Sequence, residues 1–213
     1  EMLSLLGPGP FPACLEVDSK GEPTGRVWRG DSWLRERLGK HMPDLAALAA
    51  ELAGYGITGV TDTSPANGPE EAAIFEQLIA RKDWPLQVQL MGSEDLPVSA
   101  RYRQGPLKLH YDERDLPPLD EVVKRIRNAR SQGRAVAAHC VTEGELAWYL
   151  AALDGAGGAR AGDRVEHGAL IPDAFAREIA SRGLVVVSQP AFIHVHGERY
   201  ARQMDQGTLP TAR

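Results

Sequence analysis

The stretch GRAVAAHCVTEGELAWYLAALDGAG (residues 133–157) contains one complete strand–helix unit. Its apolar run, Ala135–Ala138, has no two-residue periodicity, which is typical of a strand that is buried on both faces. The run ends in His139, and Thr142 is the predicted cap of the helix that follows. A single histidine in such a place is usually structural, so its meaning depends on how the other strands end.

The same unit recurs along the chain from residue 43 onward. The predicted strands cover residues 57–62, 86–93, 106–112, 134–140, 163–170 and 184–190. The predicted helices cover residues 43–55, 69–82, 117–133, 142–157 and 172–183, with a weaker one over 197–206. Strict alternation of strand and helix predicts a parallel sheet with right-handed crossovers, in the α/β class.

A barrel and an open doubly wound sheet both fit this alternation. No GxGxxG or GxxxxGK[ST] motif follows any predicted strand, which disfavours the nucleotide-binding open sheets and favours a (β/α)8 TIM-barrel-like fold. The GPGPFP (7–12) and GEPTG (21–25) stretches disfavour regular structure early in the chain. We therefore predict an irregular N-terminal segment over 1–42 and a partial barrel domain over 43–213.

Composition narrows the class of protein. The chain has 213 residues, a formal net charge of −5 and no basic run, which argues against nucleic acid or an anionic membrane as partner. No apolar span is long enough for a membrane helix. Two cysteines do not suggest a disulfide framework, and no secretory signal begins the chain, so we expect a cytoplasmic protein.

Three successive predicted strands end in unusual polar residues. The first carries Lys108 and His110, which share a face because they are two residues apart; the next end in His139 and His167. The carboxyl ends of parallel strands form the active face of such folds, so we expect these side chains to converge. Glu166 has the opposite parity to His167, which predicts that it faces the helix layer.

Lys108 is the least expected of these residues, because an ammonium group is unfavourable in a strand core unless it is paired or deprotonated. A neutral lysine amine can react with carbon dioxide to form a carbamate, an anionic oxygen ligand that can bridge two metal ions. The alternative is a lysine that reaches solvent or a carboxylate from the end of the strand. Both interpretations remain open at this stage.

The order of these motifs resembles a known family. The stretches GEPTGRVW, GITGVTD, LKLHYDE, AVAAHCVTEGE, DRVEHGALIP and VVVSQPAF are together similar to the amidohydrolase superfamily, and more narrowly to its N-substituted formamide deformylase-like branch. The resemblance extends over about residues 20–195. It implies a distorted (β/α)8 barrel that carries one or two divalent metal ions, usually zinc.

The resemblance also implies a set of ligands. In the family these are an HxH pair on the first barrel strand, a frequently carboxylated lysine on the fourth, histidines on the fifth and sixth, and an aspartate on the eighth. With residues 57–62 as the second strand, Lys108 is the bridging ligand, and His139 and His167 hold the second metal. The sequence lacks an HxH before residue 57 and the final aspartate; its only HxH is His194-Val195-His196. We therefore expect the first and last barrel strands to be absent from this chain.

The implied function is hydrolysis of a non-peptide C–N bond, in an amide, formamide or cyclic amide of a small-molecule substrate, by metal-activated water. The family's general base would come from the absent eighth strand. Residues in the loops that follow the strands are the candidates for substrate contact: Tyr111, Asp112, Thr142, Gln189 and His194.

Three alternatives remain. The same metal centre supports lactonase and phosphotriesterase-like hydrolases, and a barrel remnant without metal would act through protein contacts alone. The open strand edges of an incomplete barrel also predict association, including formation of a homo-oligomer.

Overall fold

The computed structural model describes residues 11–28, 30–39, 44–191, 194–195 and 197–198. These residues fall into two compact units, one within Glu1–Ala47 and the other within Leu48–Arg213. None of the helices in the described ranges has both the length and the apolar character needed to cross a bilayer. The helix predicted over 197–206 lies almost entirely outside these ranges.

The N-terminal unit contains a small hairpin and a helix. Strands β1 (Leu15–Val17) and β2 (Pro23–Val27) pair antiparallel, and helix α1 (Asp31–Leu38) follows them. Asp18 closes the turn because its Oδ1 atom accepts hydrogen bonds from the backbone N–H groups of residues 20 and 22. The segment predicted to be irregular therefore contains regular structure, which the proline and glycine of β2 (PTGRV) do not indicate in sequence. The predicted boundary at 42/43 stays a prediction, since residues 40–43 are not described.

The larger unit is built on a six-stranded parallel sheet that curls as part of a barrel. Its strands are β3 (Gly59–Asp62), β4 (Gln87–Gly92), β5 (Arg103–Leu109), β6 (Val136–Cys140), β7 (Arg164–His167) and β8 (Val185–Val187). Each strand pairs with the next one along the chain, from β3 to β8. A doubly wound sheet would reverse this order at a switch point, so the sequential order is that of a barrel wall. The six predicted strands are confirmed; closure into eight strands stays a prediction.

In the described part of the chain, five α-helices accompany the sheet. They are α2 (Leu45–Gly54), α3 (Pro69–Ala80), α4 (Leu119–Ser131), α5 (Glu143–Gly155) and α6 (Asp173–Ser181). The predicted strict alternation is wrong at one point, because β4 and β5 are joined by a loop without a helix. Side chains order this loop instead: Gln104 Nε2 donates to the Leu96 carbonyl, and the Tyr102 hydroxyl donates to the Pro97 carbonyl.

The core lies between the outer face of the sheet and helices α4 and α5. Leu107, Val136 and Val165 occupy this face on three adjacent strands and are fully buried. They pack against helix residues that include Ile126 and Tyr149. Since alternate residues of a strand point to opposite faces, the residues between these apolar positions line the inner face of the sheet.

The cap predicted at Thr142 is present and leads to a stability prediction. Its hydroxyl oxygen accepts from the Glu145 backbone N–H at 3.1 Å, and the buried Glu145 carboxylate accepts from the Thr142 N–H at 3.2 Å. Thr142→Ala is expected to lower the free energy of unfolding by about 1 kcal/mol, because an N-terminal donor of α5 loses its partner. Urea denaturation measures the change, and Thr142→Ser should retain most of the stability. Equal midpoints for the alanine variant and the unmodified protein would contradict the capping role.

Candidate metal centre

Three imidazole rings meet at the carboxyl end of the sheet. His110 directly follows β5, His139 lies in β6 and His167 ends β7. The ring centroids of His110 and His139 are 4.4 Å apart, and those of His139 and His167 are 4.7 Å apart. The strand-end histidines of three neighbouring parallel strands thus lie in one row at the carboxyl end of the sheet.

The backbone conformation of His167 explains how its ring joins this row. Cys140 pairs with His167 in the strand register, and Cys140 is buried on the helix side. Plain alternation would send His167 to that side as well. His167, however, has a φ of +71°, one of only two positive values among the described non-glycine residues, and this left-handed turn directs its ring toward His139.

Glu166 consequently lies on the inner face, and the prediction that it faces the helix layer is wrong. It pairs in register with His139, and its carboxylate is only 2% exposed. Its Oε1 atom accepts from Arg164 Nε at 2.6 Å. The prediction assumed that side chains alternate between the two faces through His167. That residue leaves the extended conformation, so the alternation does not continue to it.

Lys108 occupies the row below the histidines on the same inner face. The register places it opposite Ala137, which in turn pairs with Arg164. Lys108 is 5% exposed, and in the described part of the chain its Nζ atom has no hydrogen-bond partner. Burial lowers the pKa of Lys108, while the Glu166 carboxylate acts against this shift. The solvent-reaching alternative for Lys108 is therefore wrong; the residue is a buried amine with unused donor capacity.

Burial and neighbouring positive groups favour the neutral forms of His139 and His110. Burial lowers the pKa of His139 to about 4, and the neighbouring His110, His167 and Lys108 add to the shift. The pKa of His110 is lowered as well, first by burial and then by Lys108. Neutral imidazole carries the lone pair that a metal ion requires. Burial also raises the pKa of the Cys140 thiol to about 12, which argues against a thiolate ligand.

The structure thus brings together the predicted ligands Lys108, His139 and His167, while their role as ligands stays a prediction. Within the described ranges, no group of three or more His, Cys, Asp or Glu side chains is arranged to hold a metal ion. His110 was noted in sequence but not assigned to the site. Its two-residue spacing from Lys108 was the signal that could have placed it there.

The predicted substrate residues have varied surroundings. The Tyr111 hydroxyl accepts from Arg125 Nη1, and Asp112 Oδ1 accepts from the Arg114 backbone N–H at 3.0 Å. Thr142 caps α5, as described above. Gln189 Oε1 lies 2.6 Å from His167 Nδ1. His194 is exposed, and its HxH partner, residue 196, lies outside the described residues.

The contact between Tyr111 and Arg125 is part of a group of side-chain contacts at the rim of the site, which the sequence analysis does not predict. Arg125 of α4 forms a bidentate ion pair with Glu94, which follows β4, at 2.5 and 3.0 Å. The Tyr111 ring also packs edge-on against Trp148 of α5, with centroids 5.2 Å apart. These contacts tie the loops after β4 and β5 to the helices behind them. They join residues that are 14 to 37 positions apart in the chain, so no local sequence pattern predicts them.

Comparison with known proteins identifies the fold. No family model matches the sequence, and no curated protein matches it. An uncharacterized metal-dependent hydrolase from Pyrococcus furiosus aligns with 93% of this chain and 49% of its own length, at 18% identity and a TM-score of 0.69. Another, from Pyrococcus horikoshii OT3, aligns with 96% of this chain and 48% of its own, at 16% identity and a TM-score of 0.71.

These two matches establish a shared fold and nothing finer. The chain spans about half the length of either hydrolase. A third match, to an amidohydrolase, covers 68% of this chain at 28% identity, but its TM-score of 0.28 carries no structural argument. The chain thus has the α/β architecture of part of a metal-dependent hydrolase.

Proposed function

We propose that this chain forms part of a metal-dependent amidohydrolase that cleaves a non-peptide C–N bond in a small molecule. The observation that carries the proposal is the row of three imidazoles at the carboxyl end of a parallel sheet, above a buried lysine whose Nζ atom has no hydrogen-bond partner in the described residues. The resemblance in motif order and the fold shared with two metal-dependent hydrolases support it. The formamide deformylase-like branch belongs to the same proposal.

The residues present suit one side of a metal centre. His139 and His167 would hold a divalent ion, zinc by the preference of imidazole ligands, and Lys108 would add an oxygen ligand as its carbamate. The unsatisfied Lys108 Nζ atom and its lowered pKa fit this role, because only a neutral amine takes up carbon dioxide. When bound, the ion supplies activated water and polarises the substrate carbonyl. The chain's own contribution is to present oriented donors on one inner face.

Metal analysis of the purified intact protein tests the proposal. We expect about one or two divalent ions per chain, lost on chelation, and loss of most bound metal in His139→Asn and His167→Asn because each removes an imidazole donor. His194→Asn is the matched control and should keep its metal, since this exposed residue is not among the proposed ligands. Protein that holds well under one ion per chain and hydrolyses nothing would instead indicate a non-catalytic remnant.

A substrate panel separates the remaining alternatives. Metal-loaded protein should hydrolyse amides, formamides or cyclic amides in preference to lactones and phosphotriesters. The reverse preference would leave the metal centre intact and assign it to another barrel hydrolase, because the loops rather than the metal ligands decide substrate class.

Two further parts of the proposal concern the chain's surroundings. The two cysteines, Cys14 and Cys140, are both free, which supports a reduced, cytoplasmic compartment.

Strands β3 and β8 end the described sheet and have no further strand beside them there. We propose that these edges associate with other strands, in a homo-oligomer or a larger assembly.

A further inference from the structure

We propose that Gln189 is a positioning residue that fixes the tautomer and orientation of the His167 ring. The inference deepens the proposed function and rests on it, because the oriented ring is one of the two imidazoles assigned to the metal. Sequence reasoning placed Gln189 among the residues that contact substrate. The structure shows its side chain directed at a protein group instead.

The hydrogen bond determines which ring nitrogen carries the proton. Gln189 Oε1 lies 2.6 Å from His167 Nδ1, and an amide oxygen can only accept a hydrogen bond. Nδ1 must therefore bear the hydrogen, and when the ring carries a single hydrogen its lone pair is on Nε2. That nitrogen is then the one free to bind a metal ion.

The position of Gln189 follows from the strand register. Glu166 of β7 pairs with Val187 of β8, and both belong to the inner-face row. Gln189 is two residues beyond Val187, so strand parity continued past β8 places its side chain on the same inner face. The amide oxygen of its side chain thereby reaches the His167 ring at the end of β7.

The left-handed backbone conformation of His167 explains why its ring needs a hydrogen-bond partner to stay in place. A residue at φ +71° is held in that conformation by its surroundings rather than by its own preference. The ring centroid of His139 lies 4.7 Å from that of His167, and Gln189 Oε1 accepts a hydrogen bond from His167 Nδ1. Without Gln189, the ring could rotate and exchange tautomers, which would remove Nε2 from its place for part of the time.

Two variants of the full chain test the proposal. Gln189→Leu removes the acceptor at similar size, and Gln189→Glu keeps an acceptor oxygen. Zinc affinity is measured by competition with a chromophoric chelator, and the His167 tautomer by ¹⁵N ring chemical shifts in metal-free protein, assigned by their loss in His167→Asn. Urea midpoints of both variants show whether the fold is retained.

We expect the Nδ1–H tautomer in the unmodified protein and in Gln189→Glu, and a mixture in Gln189→Leu. Zinc affinity should fall about 10- to 100-fold in Gln189→Leu and be retained in Gln189→Glu. An unchanged tautomer or an unchanged affinity in Gln189→Leu would overturn the positioning role alone. Failure of the unmodified protein to bind zinc would overturn the proposed function and this inference with it.

Discussion

Replacement of Lys108 by alanine is expected to remove most bound metal and nearly all hydrolysis. Lys108 is 5% exposed on the inner face, in the row below the histidines, and its Nζ atom has no hydrogen-bond partner among the described residues. As a carbamate it would supply an oxygen ligand that the alanine side chain lacks. Metal stoichiometry and turnover of the purified intact protein measure the effect.

Lys108→Arg should do no better than alanine, because guanidinium stays protonated and cannot take up carbon dioxide. Short carboxylic acids should partly restore activity to the alanine variant by filling the vacated oxygen position. His139→Asn should gain nothing from these acids, since the missing ligand is an imidazole. Lys124→Ala is the matched control: this lysine is exposed on α4, and its loss should leave metal content unchanged. Equal metal in Lys108→Ala and unmodified protein would remove Lys108 from the site.

The largest loss of stability is expected for Asp163→Ala, at about 3–5 kcal/mol. Asp163 is fully buried, and its carboxylate accepts from Arg130 Nη2, the Arg160 backbone N–H and the Val136 backbone N–H, all at 2.8–2.9 Å. The Arg130 side chain is itself only 4% exposed. Removal of the carboxylate would leave a buried cation and two backbone donors without this partner. Urea denaturation measures the change in the free energy of unfolding.

Asp154→Ala provides the control for this prediction. Asp154 also pairs with an arginine, Arg182, but its side chain is 58% exposed. Solvent screens such a pair, so its loss should change stability by about 1 kcal/mol or less. Similar losses in the two variants would show that burial of Asp163 does not decide its contribution.

The sheet and helices of the larger unit were predictable because their signals are local. Short apolar runs predicted all six strands from β3 to β8, and Thr142 predicted the start of α5 through its cap. The hairpin formed by β1 and β2 was missed, since β2 (PTGRV) contains proline and glycine and has no apolar run. The helix-free connection between β4 and β5 was missed because its order comes from side-chain hydrogen bonds across the loop.

The candidate site was only partly predictable. Strand-end positions identified Lys108, His139 and His167, and the observed parallel register brings these strands together. The tie between Arg125, Glu94 and Tyr111 was not foreseen, because it joins the loop after β4, the loop after β5 and helix α4. A contact of this kind depends on how the helices pack on the sheet, so no regular spacing of residues in the sequence predicts it.

The sequence by itself determined the order of strands and helices, and it showed which strands end in polar residues. Both follow from hydrophobic runs and helix caps, which depend on only a few neighbouring residues. Only the tertiary structure decided which face each polar side chain takes. The left-handed backbone of His167 moved its ring to the inner face, and Glu166 was found on that face beside it. Gln189 was directed to His167 Nδ1 by the pairing of β7 with β8. One backbone angle and one strand register set these directions, and both arise from packing between segments that are distant in the chain.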